Sequence, residues 1–338
     1  MKTIERCPMP LVSIILVSWN SAAHLPSCLD CLARQTLRNF EVVIINNNST
    51  DSGLSDLNQK FPGIDLYTTH LGSNKGFAVA NNIGARLARG RWLALLNADA
   101  YPEPDWLEKL ILAVKENPEF SFFSSRQIQE NDRHLLDGAG DAYHVSGLAW
   151  RRYYNRQAEH LALQPAEVFS ACGAAALYLR EDFLQAGGFD EDYFSYFEDV
   201  DLGFRLRLRG KKCLYIPQAV VYHVGSASTG KGSDFSVYHG YRNLIWTFVK
   251  NMPSPFIWLY LPIHIGTLLL FAVLLTFRGQ GRAIWRAIFD ACLGMPKIIA
   301  KRQMIHKNPY SKPSDLLRVM STGLPEPYVE FMRRIRTK

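Results

Sequence analysis

The sequence predicts an α/β domain built on a parallel sheet and followed by an apolar, then basic, helical tail. Two observations predict the domain. Short β-branched runs alternate with segments of helical periodicity through the first hundred residues, and polar residues gather where those runs end. A third observation predicts the tail: residues 251–277 carry no charged side chain, and residues 278–338 hold 13 Lys and Arg against 4 Asp and Glu.

In chain order the strands are SIILVSW (13–19), EVVIIN (41–46), IDLYTT (64–69) and WLALLN (92–97). Their alternation with helical segments is the signature of βαβ units on a parallel sheet. Helical segments fall near 21–35, 52–60 and 77–89, the last closed by Gly90 as a C-cap. Pro102 opens a further helix, PEPDWLEKLILAVKEN, whose apolar residues recur at helical spacing. Between 118 and 165 the pattern loosens to one strand, FSFFSS, and a polar stretch, RRYYNRQ, expected in a mobile loop. Order returns with FSACGAAALYL (169–179), the turn QAGGFDEDYF, a helix near 198–209 ending at Gly210, and a strand pair, KKCLYIP and AVVYH.

The 338 residues, 48% of them hydrophobic, suffice for one large core plus an appendage. The formal charge of +7 is uneven, because the tail has a surplus of nine positive charges and the remainder is slightly negative. That distribution points to an anionic lipid surface touched by one end and away from nucleic acid. Of six cysteines only Cys28 and Cys31 are closely spaced, with no second pair to complete a zinc site, so they read as structural thiols. The first apolar run is too short for a secretory signal, and the body is expected in the cytoplasm.

Trp258 to Phe277 is 20 residues, long enough to cross a bilayer core of roughly 30 Å. A single crossing would export the basic tail, against the tendency of Lys and Arg to stay inside. Pro253, Pro255 and Pro262 also interrupt the run. An in-plane or re-entrant segment is therefore expected, continuing into the amphipathic RAIWRAIFDACL, with a buried core helix as the alternative. This divides the chain into a body, 1–250, and a membrane-associating region, 251–338. A protein cut near 250 is expected to be soluble and to keep its reaction with the donor.

Ligands of open α/β sheets bind beyond the carboxyl ends of the strands. There NNNSTD offers Asn46 and Asp51, suited to a base or ribose, although the same residues also make a turn and helix cap. WLALLN ends in Asn97, Ala98 and Asp99, and a carboxylate there can hold Mg²⁺ or Mn²⁺ against a diphosphate. YFEDVD gathers Glu198, Asp199 and Asp201 at a helix start. Helix starts favour acids for electrostatic reasons alone, yet a carboxylate there can also take the proton of an attacking hydroxyl. His223 ends a strand, where it reads either as structural or as a partner of Asp99 in a metal site.

The order and spacing of SIILVSWN, NNNSTD, LGSNKGFAVANNIGARLARGRWLALLNAD, CGAAALYLRE, GGFDEDYFSYFEDVDLGFRLRLRG and YHGYRNLIW resemble the family-2 glycosyltransferases of the GT-A fold. The likeness covers about residues 11–250 and lies in the branch that includes bacterial rhamnosyltransferases of cell-surface polysaccharide synthesis. It implies an inverting, single-displacement transfer from a nucleotide-diphosphate sugar. Asp99 would bind the metal, Mg²⁺ or Mn²⁺, with His223 joining the metal–diphosphate site. Asp199 would be the base with Glu198 beside it. Asn46, Asp51, Asn74, Asn82 and Asn97 would contact the donor, and Gly173 would flank the donor sugar and acceptor. Asn46 and Asn97 stand where the family often has Asp, which implies altered donor affinity, since an amide still pairs with a pyrimidine. The branch suggests a deoxythymidine-diphosphate rhamnose donor and a polyprenyl-linked saccharide acceptor at the cytoplasmic face of the cell membrane. A dinucleotide oxidoreductase is excluded because VSWNSAAH lacks the Gly-rich turn after the first strand. A membrane-bound scaffold that kept the fold and lost catalysis is the competing reading, and donor hydrolysis separates the two.

Overall fold

The computed structural model describes residues 9–54, 56–225, 232–307 and 312–326. Four cations of the basic tail, Arg333, Arg334, Arg336 and Lys338, lie outside the described residues.

The first half is three βα units. Strands β1 (Val12–Ser18), β2 (Phe40–Asn46), β3 (Asp65–His70) and β4 (Trp92–Asn97) run parallel in the order β4-β1-β2-β3. Helices α1 (Leu25–Ala33), α2 (Leu57–Lys60) and α3 (Gly76–Leu87) connect them. β1 is buried on both faces because α1 covers one side, with Leu25 and Leu29 against Ile14 and Leu16, and α3 covers the other, with Ala78 and Ala85 against Ile15. Gly90 is not the cap of α3, whose C-cap is Ala88. It lies against β1, where a Cβ would sit 2.6 Å from the backbone nitrogen of Ser13, so only glycine fits.

The second half turns the sheet mixed. After β5 (Ala100–Pro102) and α4 (Trp106–Glu116) come β6 (Phe122–Gln129), β7 (Leu136–Gly138), β8 (Asp141–Tyr143), β9 (Ala149–Arg151), β10 (Ala166–Val168) and β11 (Ala175–Leu179). β11 inserts antiparallel between β4 and β6. Helices α5 (Arg180–Gln185) and α6 (Glu198–Leu208) then lead to β12 (Cys213–His223). Pro102 therefore sits in a short strand, and α4 starts only at Trp106. The expected strand pair KKCLYIP and AVVYH is one strand beside β6, with a bulge between Ile216 and Val220 that accommodates Pro217. Of RRYYNRQ, Arg151 is not in a loop: it belongs to β9, pairs with Asp141 of β8, and forms an ion pair with the buried Asp137, while residues 152–155 form the turn that follows.

Helix α7 (Asp234–Asn251) is followed by α8 (Phe256–Leu275), a reversal at Gly279 (φ 84°), α9 (Gly281–Leu293), α10 (Met295–His306) and α11 (Pro313–Val319). Leu244, Ile245 and Trp246 of α7 share one core cluster with Leu268, Ala291 and Ile298 of α8, α9 and α10. The Trp246 indole donates to the carbonyl of Ala291 at 3.1 Å. The expected boundary at 250 thus falls at the end of a helix whose inner face is covered by the tail. A cut there would bare that face, so the body is not expected to remain soluble without residues 251–338. The outer face of the α8–α9 hairpin is apolar and open, with Trp258 71%, Phe277 87% and Phe289 62% exposed.

Beneath α7 lies a buried charge network. Lys250 Nζ is 2.7 Å from Asp201 Oδ1 and also pairs with Asp190, while Asp201 accepts from Arg205 Nε at 2.9 Å and Asn251 Nδ2 at 2.7 Å. Lys250→Ala leaves two buried carboxylates short of a counter-charge and is expected to cost about 3–5 kcal/mol in urea unfolding. Despite the opposing effect of burial, the cations hold Asp190 and Asp201 below the usual aspartate range. Their stabilisation is thus present above the unfolded value of about 3.9 and is lost as pH falls through the folded values.

Candidate active site

The carboxyl ends of β1, β4 and β12, the β8–β9 hairpin and the start of α6 surround a cleft of about 710 Å³. Asp99 follows β4, and β5 pairs with β12 so that Ala100 faces His223. That register brings Asp99 Oδ1 to 3.4 Å from His223 Nε2. The buried imidazole donates from Nδ1 to Asp137 Oδ2 at 2.8 Å, and Asn97 Nδ2 lies 3.3 Å from Nε2. A carboxylate that fixes one ring nitrogen leaves the other directed at a cation, the usual second-shell arrangement of a ligating histidine. Burial would lower the His223 pKa, but the hydrogen bonds and charges of Asp137 and Asp99 outweigh it and raise the value. Asp99 is lowered in turn, since its interaction with His223 overcomes the effect of burial.

The donor set suits a hard divalent cation. Among the described residues no group of three or more His, Cys, Asp or Glu forms a closed metal site. Asp99 and His223 can supply two ligands and leave the remaining positions to diphosphate oxygens and water, as Mg²⁺ and Mn²⁺ favour.

Across the cleft, α6 begins at Glu198 and Asp199. Asp199 accepts from the backbone N–H of Gly173 at 2.8 Å through Oδ2 and from that of Val200 at 2.8 Å through Oδ1. Burial raises its pKa, and these N–H groups with Arg151 hold the rise in check. Glu198, with a buried Oε2 that has no protein partner, is pushed well above the ordinary carboxylate range by burial and by Asp199. Both acids are thus raised, Glu198 further than Asp199. Gly173 stands against this pair, as a Cβ there would lie 3.6 Å from Asp199 Oδ2 and 3.4 Å from Phe77.

Of the expected donor contacts, Asn74, Asn97 and Gly173 line the cleft with Asp99, Glu198, Asp199 and His223. Three others face elsewhere. Asn82 is buried, donates to the carbonyl of Phe189 at 2.8 Å and accepts from its N–H at 2.8 Å, so it fastens the turn after α5. Asn46 contacts His70 at 2.9 Å and accepts from Ser49 N–H at 2.8 Å. Asp51 accepts from Ala22 N–H at 2.7 Å, bracing the turn after β1. Asn47 takes the place at the cleft expected of Asn46, donating to Asn74 Oδ1 at 2.8 Å.

The sequence reading missed four polar residues: Asn47, Asp137, Asp141 and Arg151. Asp141 is 4% exposed, lines the cleft and has an Oδ2 with no protein partner. Burial, then the charges of Asp199 and Asp137, push its pKa well up against the pull of Arg151. The available signal was LDGAGD, two aspartates among glycines in a stretch without amphipathic periodicity.

A family model for glycosyl transferase family 2 matches residues 13–186, more than half of the chain. The chain belongs to glycosyl transferase family 2. In this glycosyltransferase Asp99 and Gly173 fall within the matched segment, whereas Asp199 and His223 lie beyond it and reach it through the fold. The chain is 29% identical over 253 residues to the N-acetylglucosaminyl-diphospho-decaprenol L-rhamnosyltransferase of Mycobacterium tuberculosis, covering 68% of this chain and 81% of that one. It is 38% identical over 110 residues to a PGL/p-HBAD biosynthesis glycosyltransferase of Mycobacterium bovis, covering 32% and 43% respectively. Among solved structures, S. aureus TarS 1–349 superposes with a TM-score of 0.58 at 17% identity, over 91% of this chain and 88% of that one. Mannosyltransferase PcManGT from Pyrobaculum calidifontis, solved with GDP-Man and Mn²⁺, gives 0.54 at 19% identity over 92% and 86%. These likenesses show the GT-A fold.

Proposed function

We propose that this glycosyltransferase moves a sugar, rhamnose from its deoxythymidine-diphosphate donor, onto a polyprenyl-linked saccharide at the cytoplasmic face of the membrane. The observation that carries the reading is the pairing, across one cleft, of the Asp99–His223 site with a half-buried Asp199 held by Gly173. Asp99 and His223 would hold Mg²⁺ or Mn²⁺, which when bound offsets the charge of the leaving diphosphate. Asn74 and Asn97 would lie along the donor. Asp199 would take the proton of the acceptor hydroxyl as it attacks, and single displacement inverts the anomeric centre. Aromatic Trp19, Trp150 and Tyr196 rim the same cleft and suit a saccharide face.

The mycobacterial rhamnosyltransferase, whose name carries a decaprenol-linked acceptor, supports the lipid-linked substrate. The α8–α9 hairpin supports the site of action. Only 28% of its most apolar stretch is buried, and its reversal at Gly279 returns the chain to α7, so both ends stay on one side. An in-plane or re-entrant insertion then keeps the basic tail with the body, where anionic lipid contributes roughly 1 kcal/mol per nearby cation.

The test is thermal stabilisation by deoxythymidine-diphosphate rhamnose, UDP-N-acetylglucosamine and GDP-mannose, each with and without Mn²⁺, since a ligand bound only by the native state raises Tm. Stabilisation by the rhamnose donor that needs Mn²⁺ supports the reading, and stabilisation by another donor alone overturns the sugar assignment. Turnover against pH provides a second check. The base works deprotonated and its pKa is raised, so activity should fall with decreasing pH at an inflection above the ordinary aspartate value of about 3.9. An acid limb at or below that value excludes Asp199.

A further inference from the structure

We propose that α10 is a positioning element of the active site, holding through Lys297 and Lys301 the loop 190–197 that walls the cleft and leads into Asp199. The loop is unusual in its backbone: Phe194, Tyr196 and Phe197 have φ of 65°, 69° and 68°, the left-handed region that side-chain-bearing residues avoid. Such conformations persist where surrounding contacts over-determine them. From α7, Asn243 Nδ2 donates to the carbonyls of Tyr193, Ser195 and Tyr196 at 3.0, 3.0 and 2.8 Å.

The start of the loop is held by charge. Asp190 receives Lys250 and Lys301, and Asp192 receives Lys297 and Lys301, each at 2.6 Å. Without the α10 cations, Asp192 would face Asp190 uncompensated, and like charges so close push a loop open. The loop cannot shift without moving the site. Phe194 abuts Gly76, where a Cβ would lie 2.6 Å from its ring, and Phe197 is the residue from which α6 starts, directly before Glu198 and Asp199. Two of the α10 side chains that face outward, Ile299 and Met304, are 45% and 70% exposed. The helix thus grips the catalytic loop on one side and continues the apolar surface of the tail on the other.

The inference rests on Asp199 as the base, and the experiment separates the two. Lys297 is 65% exposed, so Lys297→Glu reverses a charge without disturbing the core. Full-length Lys297→Glu, Lys297→Arg and Lys301→Arg are compared in amide hydrogen exchange of residues 193–199 and in hydrolysis of the three donors above with Mn²⁺. Lys297→Glu should speed exchange in this segment alone. It should also lower the kcat of hydrolysis by about 10-fold at unchanged donor KM, since misplacement by an ångström can cost 10²-fold. Lys297→Arg and Lys301→Arg, which keep the charges that meet Asp192, should keep both. Exchange that stays slow in Lys297→Glu overturns the proposal, as does faster exchange with wild-type kcat or an equal loss in Lys297→Arg. The exchange readout needs no donor. If it responds as expected while Asp199→Asn hydrolyses at the wild-type rate, the grip of α10 stands and the base assignment fails.

Discussion

Asp199→Asn is expected to lower turnover by about 10²–10⁴-fold, the weight of a positioned general base, with donor affinity nearly unchanged. The substitution is nearly isosteric. Asn can still accept the Gly173 N–H, but its amide nitrogen would face the Val200 N–H, and losing that one hydrogen bond costs about 1 kcal/mol of stability. A folded, donor-binding, slow enzyme is therefore the expected product. Glu198→Gln should be milder, because burial and its neighbour raise the Glu198 carboxyl well above its ordinary range and so disfavour the charged form that accepts a proton. Measured kcat and donor Kd of both variants decide between the acids. If Glu198→Gln is the more damaging change, the assignment within the pair is reversed.

Asp99→Ala should abolish the Mn²⁺-dependent part of donor binding and leave the fold intact. Asp99 lies past the end of β4 at the cleft, and His223 keeps its bond to Asp137 when Asp99 is gone. With the metal role proposed for Asp99, its truncation should weaken donor binding at least as much as loss of a residue that only orients a ligand, which typically costs about 10–100-fold in metal affinity. Asp137→Asn provides that comparison. It keeps an acceptor for His223 Nδ1 but removes the charge, so Mn²⁺ affinity should drop within that range. Titration calorimetry of donor with and without Mn²⁺ reads both variants, and an Asp99→Ala protein with wild-type donor affinity would refute the metal role.

The sequence by itself determined the alternation of strands and helices through residue 97, the acidic ends at Asp99 and Glu198–Asp199, and the apolar run before a basic tail. Each is a local property: side-chain period, capping chemistry and unbroken hydrophobicity are written within a few residues. Only the tertiary structure decided the rest. Asn46 and Asn47 look alike in NNNSTD, and which one faces the cleft depends on where β2 ends against β3 and β1. Arg151 was read as loop, and Asp137 and Asp141 were left unassigned, because their partners, His223 and the start of α6, are distant in sequence and supply no periodic signal. The tail, too, read as a separable anchor. Its charges are partly spent on Asp190 and Asp192, and its apolar inner side on Trp246 of α7. Ion pairs and core contacts between distant segments leave no trace in local pattern, because either partner alone is indistinguishable from an ordinary surface lysine or a buried tryptophan.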